Sequence, residues 1–267
     1  MSVALCIDRL NEELGGLPLV CLHGWGMNLR VFDDLRAALG AQRSWAIDLP
    51  GHGRSGWEPR RADLVSQAED LLAALPPRCV LLGWSLGGKL ALHLARLAPQ
   101  VVEALVLVSS TPRFVQSADW PHGLDAGEVE AFNSLLEQDW RQMLSDFVWL
   151  QLRGSRNAEA AQQRVEAALT AHGAPRPEAL HADMRLLDNV DLRAMVSCVT
   201  QPALLIAGQN DRVVPPEATR WLSGAMPHAR FHQIARSGHA PFISHVEEVA
   251  AVLRPFLGGL PQAAGRA

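Results

Sequence analysis

Three side chains far apart in the chain have the types needed to make an alcohol reactive: Ser85, Asp211 and His239. A serine hydroxyl is a poor nucleophile until a base takes its proton, and the base must itself be oriented by a third group. Ser85 sits in Gly83-Trp84-Ser85-Leu86-Gly87-Gly88, directly after the apolar run Cys79 to Leu82 and directly before a segment with helical spacing (Leu90, His93, Leu94, Leu97). A serine on so sharp a strand-to-helix turn is held in strained backbone, and its neighbours two before and two after must lack bulk. Gly83 and Gly87 meet that requirement. The positive end of the following helix dipole then lies beneath the hydroxyl and favours negative charge developing there.

Asp211 follows the strand-like run Ala203 to Ala207 in Gly208-Gln209-Asn210-Asp211-Arg212, and His239 follows Arg230 to Ile234 in Ser237-Gly238-His239-Ala240-Pro241-Phe242. Taken alone, the first reads as a turn aspartate and the second as a capping or partly buried histidine. In the chain order Ser, Asp, His, each just after a strand, they read as orienting acid and general base. His23-Gly24-Trp25-Gly26-Met27 follows the apolar run Leu17 to Leu22, and two glycines there suit a backbone that approaches a ligand closely. With Ser85 present, the Trp25 and Leu86 N–H groups become the two donors that a tetrahedral oxyanion needs. The glycine-rich loop Asp48 to Ser55 lacks the spacing of a nucleotide site and reads as a structural turn, His52 included. His93, His122, His172, His181, His228, His232 and His245 have no comparable context and read as background.

The elements that position these residues follow from the pattern. Strands are expected at Ser2 to Ile7 (an edge strand), Leu17 to Leu22, Ser44 to Ile47, Cys79 to Leu82 and Val101 to Ser109, with helices at Val31 to Leu39 (capped by Asn28), Ala62 to Leu75 and Lys89 to Ala98 between them. Short buried strands alternating with helices predict an α/β fold with a mostly parallel, doubly wound sheet, whose ligands gather at the carboxyl ends of the strands. From Thr111 to Cys198 the pattern turns helical (127–137, 140–152, 158–172, 177–187), with a proline-bearing break at residues 173–177. This predicts a helical lid, 111–198, inserted into a core made of 1–110 and 199–267. Further helices are expected at Pro216 to Met226 and Val246 to Leu257, followed by a frayed Gly/Ala-rich tail.

Composition bounds the remaining possibilities. At 267 residues, 48% hydrophobic and 19% charged, the chain suits one large α/β domain with an insertion. A net charge of −4 with no basic run gives no reason to expect nucleic acid as a partner. Cys6, Cys21, Cys79 and Cys198 lack metal-ligand spacing and read as reduced core residues, so a zinc site is not expected. Asp8 and Arg9 follow only a short apolar run, so neither a signal peptide nor a membrane span is expected. The expectation is a cytoplasmic monomer without a membrane partner.

The elbow, the His23-Gly24 loop, Asp48-x-x-Gly51-His52-Gly53-Arg54-Ser55, Gly208-x-x-Asp211 and Gly238-His239 together resemble the α/β-hydrolase superfamily across nearly the whole chain. More narrowly, Leu22-His-Gly-Trp-Gly-Met-Asn28, Gly83 to Gly88 and His239-Ala-Pro-Phe-Ile-Ser-His245 look like the pimeloyl-acyl carrier protein methyl ester esterases of biotin biosynthesis. That resemblance implies a serine carboxylesterase with Ser85 as nucleophile, His239 as base and Asp211 as its orienter. It puts Trp25 and Leu86 at oxyanion and substrate-binding positions. It further implies that Phe147, Val148, Trp149, Leu150 and Gln151 line the acyl pocket, that no cofactor is used, and that Arg141, Arg153, Arg156 and Arg164 face an acidic carrier protein. On the same scaffold, a short-chain esterase, an enol-lactonase, a carbon–carbon bond hydrolase or a non-catalytic binding protein are the alternatives. A nucleophilic aspartate is excluded by the serine at the elbow.

Overall fold

The computed structural model describes residues 2–260, so the Gly/Ala-rich tail from Pro261 onward lies outside the described residues. Seven strands form one sheet in the order β1-β3-β2-β4-β5-β6-β7. They are β1 (Ile7–Leu10), β2 (Leu19–Leu22), β3 (Ser44–Ile47), β4 (Cys79–Trp84), β5 (Val102–Val108), β6 (Ala203–Gly208) and β7 (Ala229–Ile234). All neighbours are parallel except β1, which runs antiparallel to β3. The edge strand is therefore Ile7–Leu10 and not Ser2 to Ile7: Asp8, Arg9 and Leu10 pair with Ala46, Trp45 and Ser44. Its mixed polar sequence is held by side chains as well as backbone, since Arg36 Nη1 donates to Asp8 Oδ2 at 2.7 Å and the Arg9 guanidinium stacks 4.4 Å over Trp45.

The central strands β2, β4 and β6 are buried along their full length, which suits their almost unbroken apolar sequences. Helices α1 (Asp33–Leu39), α2 (Leu64–Ala74), α3 (Leu86–Leu97), α8 (Pro216–Ala225), α9 (Pro241–Ser244) and α10 (Val246–Gly258) connect or follow the strands, and α4 (Ala126–Gln138), α5 (Trp140–Leu152), α6 (Ala158–His172) and α7 (Pro177–Asn189) are inserted between β5 and β6. The helix expected from Val31 starts instead as a 3-10 turn, Leu29–Phe32, capped by the Asn28 side chain, and becomes α-helical only at Asp33.

Chain order along the sheet reverses between β2 and β4, and a crevice opens at the carboxyl ends of strands at such a switch point. Leu22, the last residue of β2, stands beside Gly83 in register, so the loops after β2 and β4 leave the sheet side by side. Cys21 and Cys79 are core residues, whereas Cys6 is only partly buried and Cys198 is exposed in the 3-10 turn Arg193–Cys198; the expectation of four core cysteines fails for these two. No helix among the described residues is long and apolar enough to cross a membrane.

Candidate active site

Ser85 occupies the turn between β4 and α3 with φ 55° and ψ −114°, a conformation a non-glycine residue adopts only when its surroundings force it. The forcing contacts are visible. A Cβ on Gly83 would strike the backbone of Gly87 and Gly88, one on Gly87 would strike the carbonyls of Leu22 and His23, and one on Gly88 would strike Ser110 Oγ. Ser85 N–H donates to Val108 O at 3.0 Å, fixing the turn to β5.

Asp211 and His239 come together as their chain order suggested. His239 Nδ1 lies 2.8 Å from Asp211 Oδ2 and 3.0 Å from Oδ1, and both side chains are buried. Asp211 Oδ1 also accepts from the Val213 and Val214 N–H groups, each at 2.9 Å, which locks the carboxylate plane toward the imidazole. The carboxylate accepts, so Nδ1 carries the proton and Nε2 presents its lone pair. That Nε2 is buried and has no hydrogen-bond partner among the described residues. Trp84, the residue before Ser85, donates its Nε1–H to His239 O at 2.9 Å and sets its ring 5.6 Å from the imidazole, which ties the histidine loop to the elbow.

Gly24 approaches the elbow so closely that a Cβ there would lie 3.3 Å from Ser85 Cβ. Among the described residues, neither Trp25 N–H nor Leu86 N–H donates to a protein acceptor, although their neighbours do: Gly26 N–H donates to His52 Nε2 and Gly88 N–H to Ser85 O. The loop around Trp25 is braced from beneath. His23 Nδ1–H donates to Gly24 O at 2.8 Å, and its Nε2 accepts from Leu49 N–H at 2.9 Å; burial lowers its pKa and keeps the ring neutral.

Ser85 opens into a narrow pocket lined by apolar side chains, among them Trp25, Phe114, Phe132, Phe147, Met184 and Leu187. Of the five residues expected to line it from α5, only Phe147 does, with its ring 5.1 Å from Trp25 and 5.9 Å from Phe132. Helical periodicity explains the rest: Val148 turns into the core, Trp149 is exposed, Leu150 is half-buried, and Gln151 is buried with its carbonyl accepting His239 N–H at 2.7 Å. The turn after α5 is stitched to the loops of both Asp211 and His239, because Ser155 Oγ accepts from Gly238 N–H at 2.8 Å and Gly154 O accepts from Asn210 Nδ2 at 2.9 Å.

The four arginines differ in what holds them. Arg141 stacks 4.3 Å over the ring of Trp140, and Arg164 is taken up by Asp34 at 3.3 Å and Ile243 O at 3.2 Å, whereas Arg153 and Arg156 are exposed beside the stitched turn. His172 is not background either: its Nε2 meets buried Asp48 Oδ2 at 2.8 Å and joins the end of α6 to the core. Asp48 is saturated by that contact and by the N–H groups of Leu29 and Arg54, and Cys6 beside it has its thiol pKa raised by burial and then by Asp48. Asp183 and Gln67, also buried and joined at 2.6 Å, gave no sign in the sequence because each sits in an ordinary amphipathic helix.

A strained serine on a β-to-α turn, an imidazole held by a carboxylate, and two free backbone donors at a switch point are the parts of a serine hydrolase of the wound-sheet kind. Residues 19–252 match the sequence model described as the alpha/beta hydrolase family, and the chain belongs to that family. It is a hydrolase of that family. In sequence it is similar to proteins named pimeloyl-[acyl-carrier protein] methyl ester esterase. That of Xanthomonas axonopodis pv. citri is 39% identical over 92% of this chain and 97% of its own length. That of Stenotrophomonas maltophilia is 40% identical over 94% and 96%. In fold it is similar to an esterase from Exiguobacterium antarcticum (TM-score 0.84, 24% identity, 96% of each chain) and a bromoperoxidase from Bacillus anthracis (TM-score 0.85, 21% identity, 96% of each chain).

Proposed function

We propose that this chain is a serine carboxylesterase that hydrolyses the methyl ester of a pimeloyl group carried on acyl carrier protein, releasing methanol and the free carboxylate. The observation that carries the reaction class is the buried His239–Asp211 pair, its Nε2 left without a protein partner beside the elbow. The substrate class rests on the relatives, whose names specify a carrier-bound methyl ester.

In this reading Ser85 Oγ attacks the ester carbonyl while His239 Nε2 takes its proton. The oxyanion forms between the Trp25 and Leu86 N–H groups at the head of α3, where the helix dipole favours it. Asp211 holds the ring in the productive tautomer and stabilises the imidazolium. Methanol leaves with the proton from Nε2, and a water deprotonated by the same nitrogen attacks the acyl-enzyme. No step requires a metal or organic cofactor. The pocket lined by Trp25, Phe132 and Phe147 is apolar but nearly filled by its own side chains, so an acyl chain enters it by displacing them, and its lining residues carry no cation to retain the product carboxylate. The inserted helices serve as the lid, and Arg153 and Arg156 stand at its rim for an acidic carrier.

The test compares wild type with Ser85→Ala on pimeloyl-carrier-protein methyl ester and on an unlinked methyl ester of equal acyl length. Hydrolysis of the linked ester at the higher kcat/KM, abolished by Ser85→Ala, is the expected result. Full activity without the hydroxyl overturns the mechanism, and indifference to the carrier overturns the substrate.

A further inference from the structure

The loop carrying the Trp25 N–H is held from a direction unrelated to the triad. Gly26 N–H donates to His52 Nε2 at 3.3 Å, and the other ring nitrogen, Nδ1, lies 3.1 Å from Pro50 O. A carbonyl only accepts, so Nδ1 bears the proton and Nε2 is the acceptor; the two bonds select one tautomer. The ring is fully buried, and its pKa is pushed down to about 3 by burial and then by the His23 ring 5.2 Å away, so it stays neutral at any working pH.

Asp183, on the inserted helix α7, places Oδ2 3.8 Å from His52 Nδ1. Its Oδ1 accepts from Gln67 Nε2 at 2.6 Å, and Oδ2 has no hydrogen-bond partner among the described residues. Burial raises its pKa to about 7, opposed by Gln67 and then by Arg185. The same helix takes the Trp25 indole, whose Nε1–H donates to Leu180 O at 2.9 Å. One insertion helix thus grips residue 25 by its side chain and stands behind the histidine that grips residue 26.

We propose that His52, backed by Asp183, is a positioning residue for the oxyanion hole: it fixes the Gly26 N–H, and thereby aims the Trp25 N–H at the reacting carbonyl. The proposal rests on the oxyanion role assigned to Trp25 above. It gives α7 a part in assembling the hole as well as in lining the pocket, and it gives the buried polar groups of the Asp48–Ser55 loop a task that packing does not require. An apolar side chain at 183 would fill the same space without burying an unpartnered Oδ2.

The deciding comparison is His52→Gln against His52→Asn. A glutamine carries its amide oxygen out to the position of Nε2 and can still accept from Gly26; an asparagine ends near Nδ1 and cannot. The two are otherwise close in polarity. Active sites are counted by stoichiometric labelling of Ser85 with an organophosphonate, so kcat refers to competent molecules even where a variant folds poorly. Expected is a fall in kcat of about 10-fold or more for Asn, near-wild-type kcat for Gln, and KM within about twofold for both, because the hole acts on the transition state. Asp183→Leu should follow Asn in direction and Asp183→Asn should follow wild type. Equal kcat in the Gln and Asn variants, or a change in KM as large as that in kcat, overturns the proposal. Failure of the wild type to label at Ser85 overturns instead the reading on which it rests.

Discussion

Lys89 Nζ donates to Val190 O at 2.8 Å, so the second turn of the elbow helix is tied by a buried ammonium to the residue that caps α7. An ammonium at a helix carboxyl end meets the negative pole of that helix. Burial nonetheless brings its pKa down to about 7; Asp191 and Asp188 oppose the shift and Arg113 adds to it.

The pH dependence follows from that depression. Between about pH 7 and the usual lysine value the unfolded chain holds a proton that the native site does not favour, so native stability rises with pH across this window, and the penalty is fully present below it. The fall from the usual 10.5 to about 7 bounds the effect at about 5 kcal/mol. Lys89→Met removes the titration. Relative to this variant, the wild type should gain stability from pH 7 to pH 10 in urea midpoints; parallel profiles would contradict the assignment.

Gly87→Ala tests whether the elbow and the Trp25 loop share one close contact. The new methyl must displace the carbonyls of Leu22 and His23, where β2 passes into the loop of Trp25. Overpacking against backbone should cost about 2–3 kcal/mol, and kcat per labelled site should fall with it. Gly15→Ala, a change into open space at an ordinary backbone angle, is the control and should alter neither.

Much of this arrangement was legible in the chain itself, for reasons that also explain what was not. The bounds of β3, α5 and α6 and the position of Ser85 follow from local pattern: unbroken apolar runs, helical spacing and paired glycines. The edge strand lies later than local pattern places it, because the apolar stretch before Ile7 is the better strand by composition, while pairing with β3 and the Arg36–Asp8 contact select Ile7–Leu10. His172 and Asp183 are not legible in the sequence, because a buried polar residue on an amphipathic helix looks like a solvated one without its partner, and those partners, Asp48 and Gln67, are more than a hundred residues away. The pocket wall narrowed from five residues to Phe147 because a continuous string on a helix faces several directions at once.

Asp211→Asn should be more damaging than its small change in size suggests. The Val213 and Val214 N–H groups both donate to Oδ1, so an asparagine keeps its carbonyl oxygen there and turns its NH₂ toward His239. Imidazole then meets a donor at Nδ1, moves its proton to Nε2, and can no longer accept from Ser85. A loss of kcat of about a hundredfold or more, with KM little changed, is expected from steady-state kinetics.

Arg153→Glu with Arg156→Glu addresses the carrier separately from the chemistry. Both side chains are exposed beside the turn that holds Asn210 and Gly238, whereas Arg164 is already paired with Asp34. Rim charges act mainly through encounter and are screened by salt. The double reversal should therefore raise KM for the carrier-linked ester by about tenfold at low ionic strength, converge on wild type as salt is added, and leave an unlinked methyl ester unaffected. Arg164→Glu, which first has to lose an internal partner, should instead register in thermal stability. An equal loss on linked and unlinked esters would place these arginines in the fold of the insertion, because a carrier surface matters only to a substrate that brings the carrier with it.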